Sequence, residues 1–538
     1  MEKRALLAFV LSLLVVTIWS YLFVPQEKPR GPVREIQEES KEQSVQAHAL
    51  PQPERVSLEL PEQEGGDFQE ELVEITTPLY VAVLSTSTAT IQSWRLTRYR
   101  EGLEDGSPSI ELVRAGGRAL ELTAQGPMAT EMAKVRFRTD AGSRNVDATS
   151  RARTIRAFAF LEGGGRIEKE FTFYPDRYVV DVVVKACDGE GRPLAERVGL
   201  ALSYPKSELS TKSGVFAGPV ALSPHGFEEL DVSKQAGRSM EAKWGGVALH
   251  YFLSAIVPSG PGRKDLFLEE SKGTLKVTLW VDSKRENGCE YRFLGYFGPK
   301  SIEDLKAAGE DLDKALHLGF FDIIARPLLL SMKFINEYTH NYGIAIIVLT
   351  IVIKLIFWPL THKSFASMRE MQRLQPRIKQ IRERFKHDRE QLNREMMLLY
   401  KTHKINPLGG CLPMLLQIPV FFALYKALMD SIELRHAPFV FWIKDLSAPD
   451  YLLRFPPGVS FFGIEGIGPL PLLMGASMVI QQKMTPSTGD PTQAKVMMLM
   501  PIFFTFLFIS FPSGLVLYWL MNNVLSIVQQ VYINARLD

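Results

Sequence analysis

Few residues in this chain sit where they could do chemistry, and the one that stands out is a cation. Lys354 lies in the run TIVIKLIFWPLT. If that run is helical, Lys354 is about 10 Å of helix short of Thr361. A lone charge sunk in apolar surroundings costs several kcal/mol unless it meets a partner, water or an interface. The neighbouring apolar runs hold no Asp or Glu at matching depth, so an internal ion pair is not expected and proton relay is disfavoured. Two explanations remain. Either the ammonium snorkels to headgroups, or it faces a water-filled groove that Thr350, Gln417, Asn522 and Gln529 help to line.

Other reactive residue types form no recognisable constellation. There is no nucleophile triad, HExxH, Walker sequence or carboxylate pair in a usable frame. His225 and His250 stand alone and read as structural or surface residues. Gly163-Gly164-Gly165 has no Lys-Ser/Thr after it and reads as a turn. The three cysteines, Cys187, Cys289 and Cys411, lack the spacing of a zinc or redox site. Cys187 and Cys289 either bond to each other in an oxidising compartment or stay unpaired. The expectation is no metal, no cofactor and no enzymatic reaction.

The elements that must position Lys354 are segregated along the 538 residues. Lys3 and Arg4 precede an uncharged run from Ala5 to Val24, long enough to cross a bilayer. A cleaved signal peptide is the rival reading, but the run ends in bulky, aromatic residues rather than small ones. Residues 1–24 are therefore expected to be an anchor with a cytoplasmic N-terminus. Pro25 to Glu74 carries 13 acidic and 5 basic residues with six prolines, so 25–71 reads as a flexible tether. Residues 72–318 show period-two runs such as LKVTLWVD, bounded by turn sequences such as EGGGR. That pattern predicts an enlarged antiparallel β-domain of two sheets outside the cytoplasm. Residues 319–340 mix apolar residues with Asp322, Arg326, Lys333 and Glu337, which suits an amphipathic interfacial helix bent or capped near Pro327.

Within 341–538 five spans are expected: 341–361, 405–428, 466–482, 496–511 and 513–533. With the anchor this makes six. Val496 to Ala535 contains no charged residue, and Pro512-Ser513-Gly514 divides it into a hairpin. The stretch 360–404 has 12 basic and 5 acidic residues, which places it in the cytoplasm with both termini. Inside it, 363–402 reads as a helical hairpin, because Met371, Leu374, Ile378, Ile381 and Phe385 repeat at helical spacing. Its basic excess suits anionic lipids or non-specific contact with ribosomal RNA, and no base-reading motif is present. Met474, Met478, Met484, Met497, Met498 and Met500 crowd two short spans, as adaptable contact surface or as ordinary filler.

Several stretches resemble the YidC family of bacterial inner-membrane insertases. They are MQRLQPRIKQIRERF, EMMLLYKTHKINPLGGCLPMLLQIPVFFALYKAL, SIELRHAPFVFWIKDLS, QKMTPSTGDPTQAK and FPSGLVLYWLMNNVLSIVQQ, with KEFTFYPDRYVVDVVV and GYFGPK in the β-domain. The resemblance implies a polytopic α-helical membrane protein with a five-span insertase core and a periplasmic all-β supersandwich. It implies a hydrophilic groove open to cytoplasm and lipid, through which client segments enter the membrane, alone or with the Sec translocon. The family usually has arginine where this chain has Lys354, so charge is kept and the planar donor fork is lost. Client contact carries over to Pro419, Phe422, Lys426 and Met429, and to Phe503, Phe504 and Phe508. Implied partners are nascent membrane proteins, the Sec translocon, the targeting machinery and the ribosome, with anionic lipids around them. The run to Asp538 carries no long basic tail, so a tail-based grip on the ribosome is not expected. A secondary transporter with its site near Lys354, and a scaffold for membrane complexes, are the alternatives.

Overall fold

The computed structural model describes residues 71–537, except 115, 162–163, 210–215, 261, 284–287, 404–411, 457–463 and 485–490. The anchor, nearly all of the tether and Cys411 lie outside the described residues.

Alternating runs become strands because each strand has one face to bury. In Arg166–Phe173 the residues Ile167, Lys169, Phe171 and Phe173 point inward while their neighbours stay partly exposed. A ten-stranded sheet has Thr274–Asp282 and Arg197–Pro205 near its centre. A nine-stranded sheet has Glu290–Pro299 between Val179–Cys187 and Phe252–Ser259. Pairing is antiparallel throughout, apart from Leu72–Thr76 with Asn145–Asp147 and one isolated bridge. The two sheets share an aromatic core in which Trp94 stacks on Tyr80 at 4.0 Å and meets Phe297 at 4.9 Å. A disulfide joins Cys187 to Cys289, Cα atoms 5.5 Å apart. Of the two readings the sequence left open, the bonded one holds.

The amphipathic segment is helix α1 (Asp322–Thr339), with Pro327 inside it. It buries Ala325, Leu329 and Met332, and leaves Leu330, Phe334 and Tyr338 exposed. Next comes α2 (Tyr342–Arg373), capped by Asn341, whose side chain accepts from the backbone N–H of Gly343 and Ile344. It runs beyond the expected span into the basic region without a break. Then follow α3 (Gln375–Arg384) and α4 (Arg389–Thr402), the two halves of the expected hairpin. Pro376 sits in the first turn of α3, where its missing N–H costs nothing. Asp388 caps α4 by accepting from Glu390 and Gln391.

The remaining helices are α5 (Leu412–Asp430), α6 (Pro469–Met484), α7 (Pro491–Phe508) and α8 (Ser513–Leu537). Among the described residues only α2 is long and apolar enough by itself to cross a membrane. α6 has only 16 residues, and α8 is interrupted by Asn522, Asn523, Ser526, Gln529 and Gln530. Large apolar side chains nonetheless face outward on four helices: Leu355 and Ile356 on α2, Leu472 and Leu473 on α6, Met498, Leu499, Met500, Ile502 and Phe503 on α7, and Val528 and Val531 on α8. Such faces suit hydrocarbon and not water.

Candidate functional site

α8 is the central element of the helical bundle. It packs against α2 and α6, and touches α5. Its polar residues fall at helical spacing, so they form stripes rather than a scatter. One stripe faces α2 and α5. There Lys354 Nζ donates to Ser526 Oγ at 2.7 Å, and Ser526 Oγ donates to the Asn522 carbonyl at 2.7 Å. Gln417 Nε2 on α5 donates to Asn522 Oδ1 at 2.6 Å. A hydrogen-bonded chain therefore links α2, α8 and α5. Among the described residues no carboxylate lies within ion-pair distance of Lys354. Its one bonded partner there is a neutral hydroxyl, which leaves an ammonium with donors to spare.

The second stripe faces α6. Asn523 Nδ2 donates to Ser477 Oγ at 3.0 Å, and Gln530 Nε2 donates to the Met484 carbonyl at 2.7 Å. Gln529 is 1% exposed and its Nε2 has no hydrogen-bond partner among the described residues.

Of the four expected lining residues, Gln417 and Asn522 join the chain that starts at Lys354. Thr350 does not present its hydroxyl: it is buried and donates to the Ile346 carbonyl of its own helix at 2.6 Å. Gln529 is enclosed between helices. Sequence reasoning does not single out Ser526, Asn523, Gln530 and Ser477; the i, i+4 recurrence Asn522, Ser526, Gln530 in NNVLSIVQQ is the signal that marks two of them, and Asn523 lies three positions before Ser526.

The expected client-contact residues separate. Phe503 is 61% exposed on α7. Phe504 is half-buried and Phe508 is 3% exposed, both packed on Trp519 of α8. On α5, Pro419 is half-buried, and Phe422 stacks on Phe321 at 6.1 Å just ahead of α1. Lys426 pairs with Asp430 at 2.9 Å, and the Met429 carbonyl accepts from His250 Nε2 of the β-domain at 2.9 Å. The last two residues therefore sit at the junction with the β-domain. Burial lowers the His250 pKa, against the pull of that carbonyl, so the imidazole is favoured neutral there.

The end of the bundle away from the hairpin is closed by the loop between α5 and α6. Ser513 N–H and hydroxyl both donate to the Ala448 carbonyl, and Gly514 N–H donates to the Leu446 carbonyl at 2.9 Å. Asp450 accepts from Trp442 Nε1 at 3.0 Å and from the Leu470 N–H at 2.8 Å, which fixes the start of α6. Arg435 Nη2 donates to the Arg100 carbonyl at 2.6 Å, tying this loop to the β-domain. Lys333 of α1 is held between Glu303 and Glu433.

Among the described residues no group of three or more His, Cys, Asp or Glu side chains could hold a metal ion. The arrangement offers charge, hydrogen bonds and an apolar rim.

Residues 72–331 match the family model described as YidC periplasmic domain, and 334–538 match the one described as 60Kd inner membrane protein. The chain is similar along its whole length to two proteins named "Membrane protein insertase YidC". The one from Syntrophus aciditrophicus (strain SB) is 39% identical, with 100% of each chain covered. The one from Pelobacter propionicus (strain DSM 2379 / NBRC 103807 / OttBd1) is 41% identical, again with 100% of each covered. A solved structure described as "Active YidC insertase crystal structure with the first transmembrane domain resolved" aligns over 86% of this chain and 92% of its own. Its TM-score is 0.36 and its identity 17%, so it carries no weight beside the sequence relatives. Two family models that divide the chain between them, and relatives matched from end to end, lead to one conclusion: the chain belongs to the YidC family of membrane protein insertases.

Proposed function

We propose that this chain inserts client membrane proteins by way of a polar notch centred on Lys354 and open to the cytoplasm. The observation that carries the reading is that, among the described residues, Lys354 pairs with Ser526 alone, at the head of the hydrogen-bonded chain through Asn522 to Gln417. A cation with unused donors can hold an acidic or polar stretch of a client while the client's apolar segment moves into lipid. No hydrolysis is needed. The notch shortens the hydrocarbon distance over which polar residues are dragged, and burial of the apolar segment drives the step. The sealed far end, where Ser513 and Gly514 are tied to Ala448 and Leu446, supports a notch that is blind on the outer side.

The topology follows the same reading. Six spans, with both termini and the 363–402 hairpin cytoplasmic, suit the basic excess of 360–404. The anchor is 1–24, the tether 25–71, the β-domain 72–318, the interfacial helix 319–340 and the insertase core 341–538. Phe503, exposed on α7, is the best placed of the proposed client contacts. The basic hairpin is the natural meeting place for targeting machinery, ribosome and anionic lipids, and the family resemblance adds the Sec translocon. No observation favours a transporter: among the described residues no second ionisable side chain pairs with Lys354.

The test is complementation. Host insertase is depleted, this chain is expressed, and insertion of a short two-span client is followed. Failure at normal expression overturns the insertase reading for this chain. A cysteine at position 354 that never reacts with cytoplasmic probes overturns the notch.

A further inference from the structure

The loop between α5 and α6 holds an aromatic ring outward against its own backbone preference. Phe441 stands in a tight turn in which the Ile443 N–H donates to the Val440 carbonyl, and Phe441 is 91% exposed. Its φ is 56°, in the left-handed region that bulky L residues rarely adopt. The turn is not loose. The Phe439 carbonyl accepts from Asn341 Nδ2 at 3.0 Å, and the Phe439 ring lies against Gly343, where an added Cβ would come within 2.0 Å of it. Ile443 and Leu446 are buried, and Trp442 is held by Asp450. Among the rings of the described residues, Phe441 meets only its neighbour Trp442, at 6.0 Å. A strained, over-determined position that presents a ring to the outside points to something outside that receives it.

The position of the turn identifies the recipient. Asn341, which grips Phe439, is also the cap of α2, so it marks the level at which that helix leaves water for its apolar stretch. The exposed apolar face of α1, with Leu330, Phe334 and Tyr338, ends at the same cap. Val440, beside Phe441, is exposed as well. Three residues further on, Lys444 is exposed and has no ion pair among the described residues. An aromatic ring with a nearby free cation is the side-chain pairing that settles at a lipid headgroup boundary.

We propose that the Val440–Phe441 turn inserts into the outer leaflet of the bilayer, with Lys444 meeting lipid phosphate. It acts as a foot that fixes the sealing loop to the membrane. The proposal rests on the reading above that this loop is external; reaction of Leu453→Cys, an exposed residue of the same loop, with an impermeant reagent on intact cells checks that point separately.

Full-length Phe441→Cys in a Cys411→Ser background is labelled with an environment-sensitive nitrobenzoxadiazole probe. It is reconstituted in vesicles of phosphatidylethanolamine and phosphatidylglycerol without client, so that insertion activity does not enter the result. A probe at Phe160→Cys, an exposed ring of the β-domain, is the comparison. Nitroxide near the lipid glycerol level should quench the probe at 441 at least about threefold more than the one at 160, with iodide showing the reverse order. Iodide quenching at 441 equal to that at 160, without lipid quenching, overturns the proposal, whatever protein surface covers the turn in cells. Phe441→Gly accepts the same φ and should leave the unfolding midpoint unchanged or higher. A probe at Val440→Cys should then return to water. If it stays quenched by lipid, the ring is not the foot.

Discussion

Two lysines, one in each half of the molecule, show how differently a cation can be taken out of water. Lys169 lies in the β-domain core at 0% exposure. Its Nζ donates to the carbonyls of Ala89, at 2.7 Å, and Leu120, and sits 4.9 Å from the Phe171 ring centre. Both acceptor residues have left-handed backbones, with φ of 49° and 60°. Leu120 falls where the pairing of Arg118–Gln125 with Arg197–Pro205 shifts register, so its carbonyl is turned out of the ladder and the ammonium meets it. Every strong interaction of Lys169 is spoken for by its own fold. Among the described residues Lys354 has one neutral partner and an apolar rim. The first lysine is a pin that holds two irregular backbone segments. The second is left partly unanswered among the described residues, as the client-binding role proposed for it requires.

The comparison breaks first, and by the largest effect, at the pin. Lys169→Ala opens a cavity and orphans two carbonyls, and should cost about 3 kcal/mol of stability in denaturant unfolding. A loss below about 0.5 kcal/mol would remove the pin role. The same residue predicts a pH dependence. Burial lowers its pKa to about 7, whereas an unfolded lysine titrates near ~10.4. Between those values the unfolded chain binds more protons, so stability should rise with pH by up to about 1.4 kcal/mol per unit. It falls back as pH drops toward 7. Lys169→Met should flatten that slope, and an unchanged slope would show that another group sets it.

At the other lysine the effect should appear in insertion and not in stability. Lys354→Ala should lower client insertion about tenfold with little change in unfolding midpoint, and Lys354→Arg should retain most of it. Equal rates for the two variants would leave Lys354 without a role. The smallest effect belongs to its partner. Ser526→Ala removes one bond to the ammonium and should reduce insertion about two- to threefold, since water can replace the hydroxyl in an open notch. A tenfold loss would mean that the notch is dry.

Much of the architecture was legible because hydrophobic pattern is a strong signal when it runs long. The helix break at Pro512-Ser513-Gly514 and the amphipathic helix Asp322–Thr339 lie where the pattern put them, whereas the hairpin helices start at Gln375 and not at 363, because α2 continues to Arg373. Lys169 was legible in principle: period two in RIEKEFTF places it on the face of Ile167 and Phe171, yet a lysine among glutamates invites a surface reading. What pattern could not supply was pairing across elements. Nothing in the sequence separates Gln417, which reaches Asn522, from Thr350, whose hydroxyl turns back on its own helix. The same holds for Phe503 and Phe508, five residues apart on α7 yet on open and packed faces.

The length of α2 has a mechanical consequence. Its 32 residues make a rod of about 48 Å, gripped at one end by the sealing loop through Asn341 and continued at the other into the hairpin. Lys354 lies 13 positions from the gripped end. A force applied to the hairpin therefore tilts the rod about a fixed pivot, and the ammonium swings with it without any residue near Lys354 being touched.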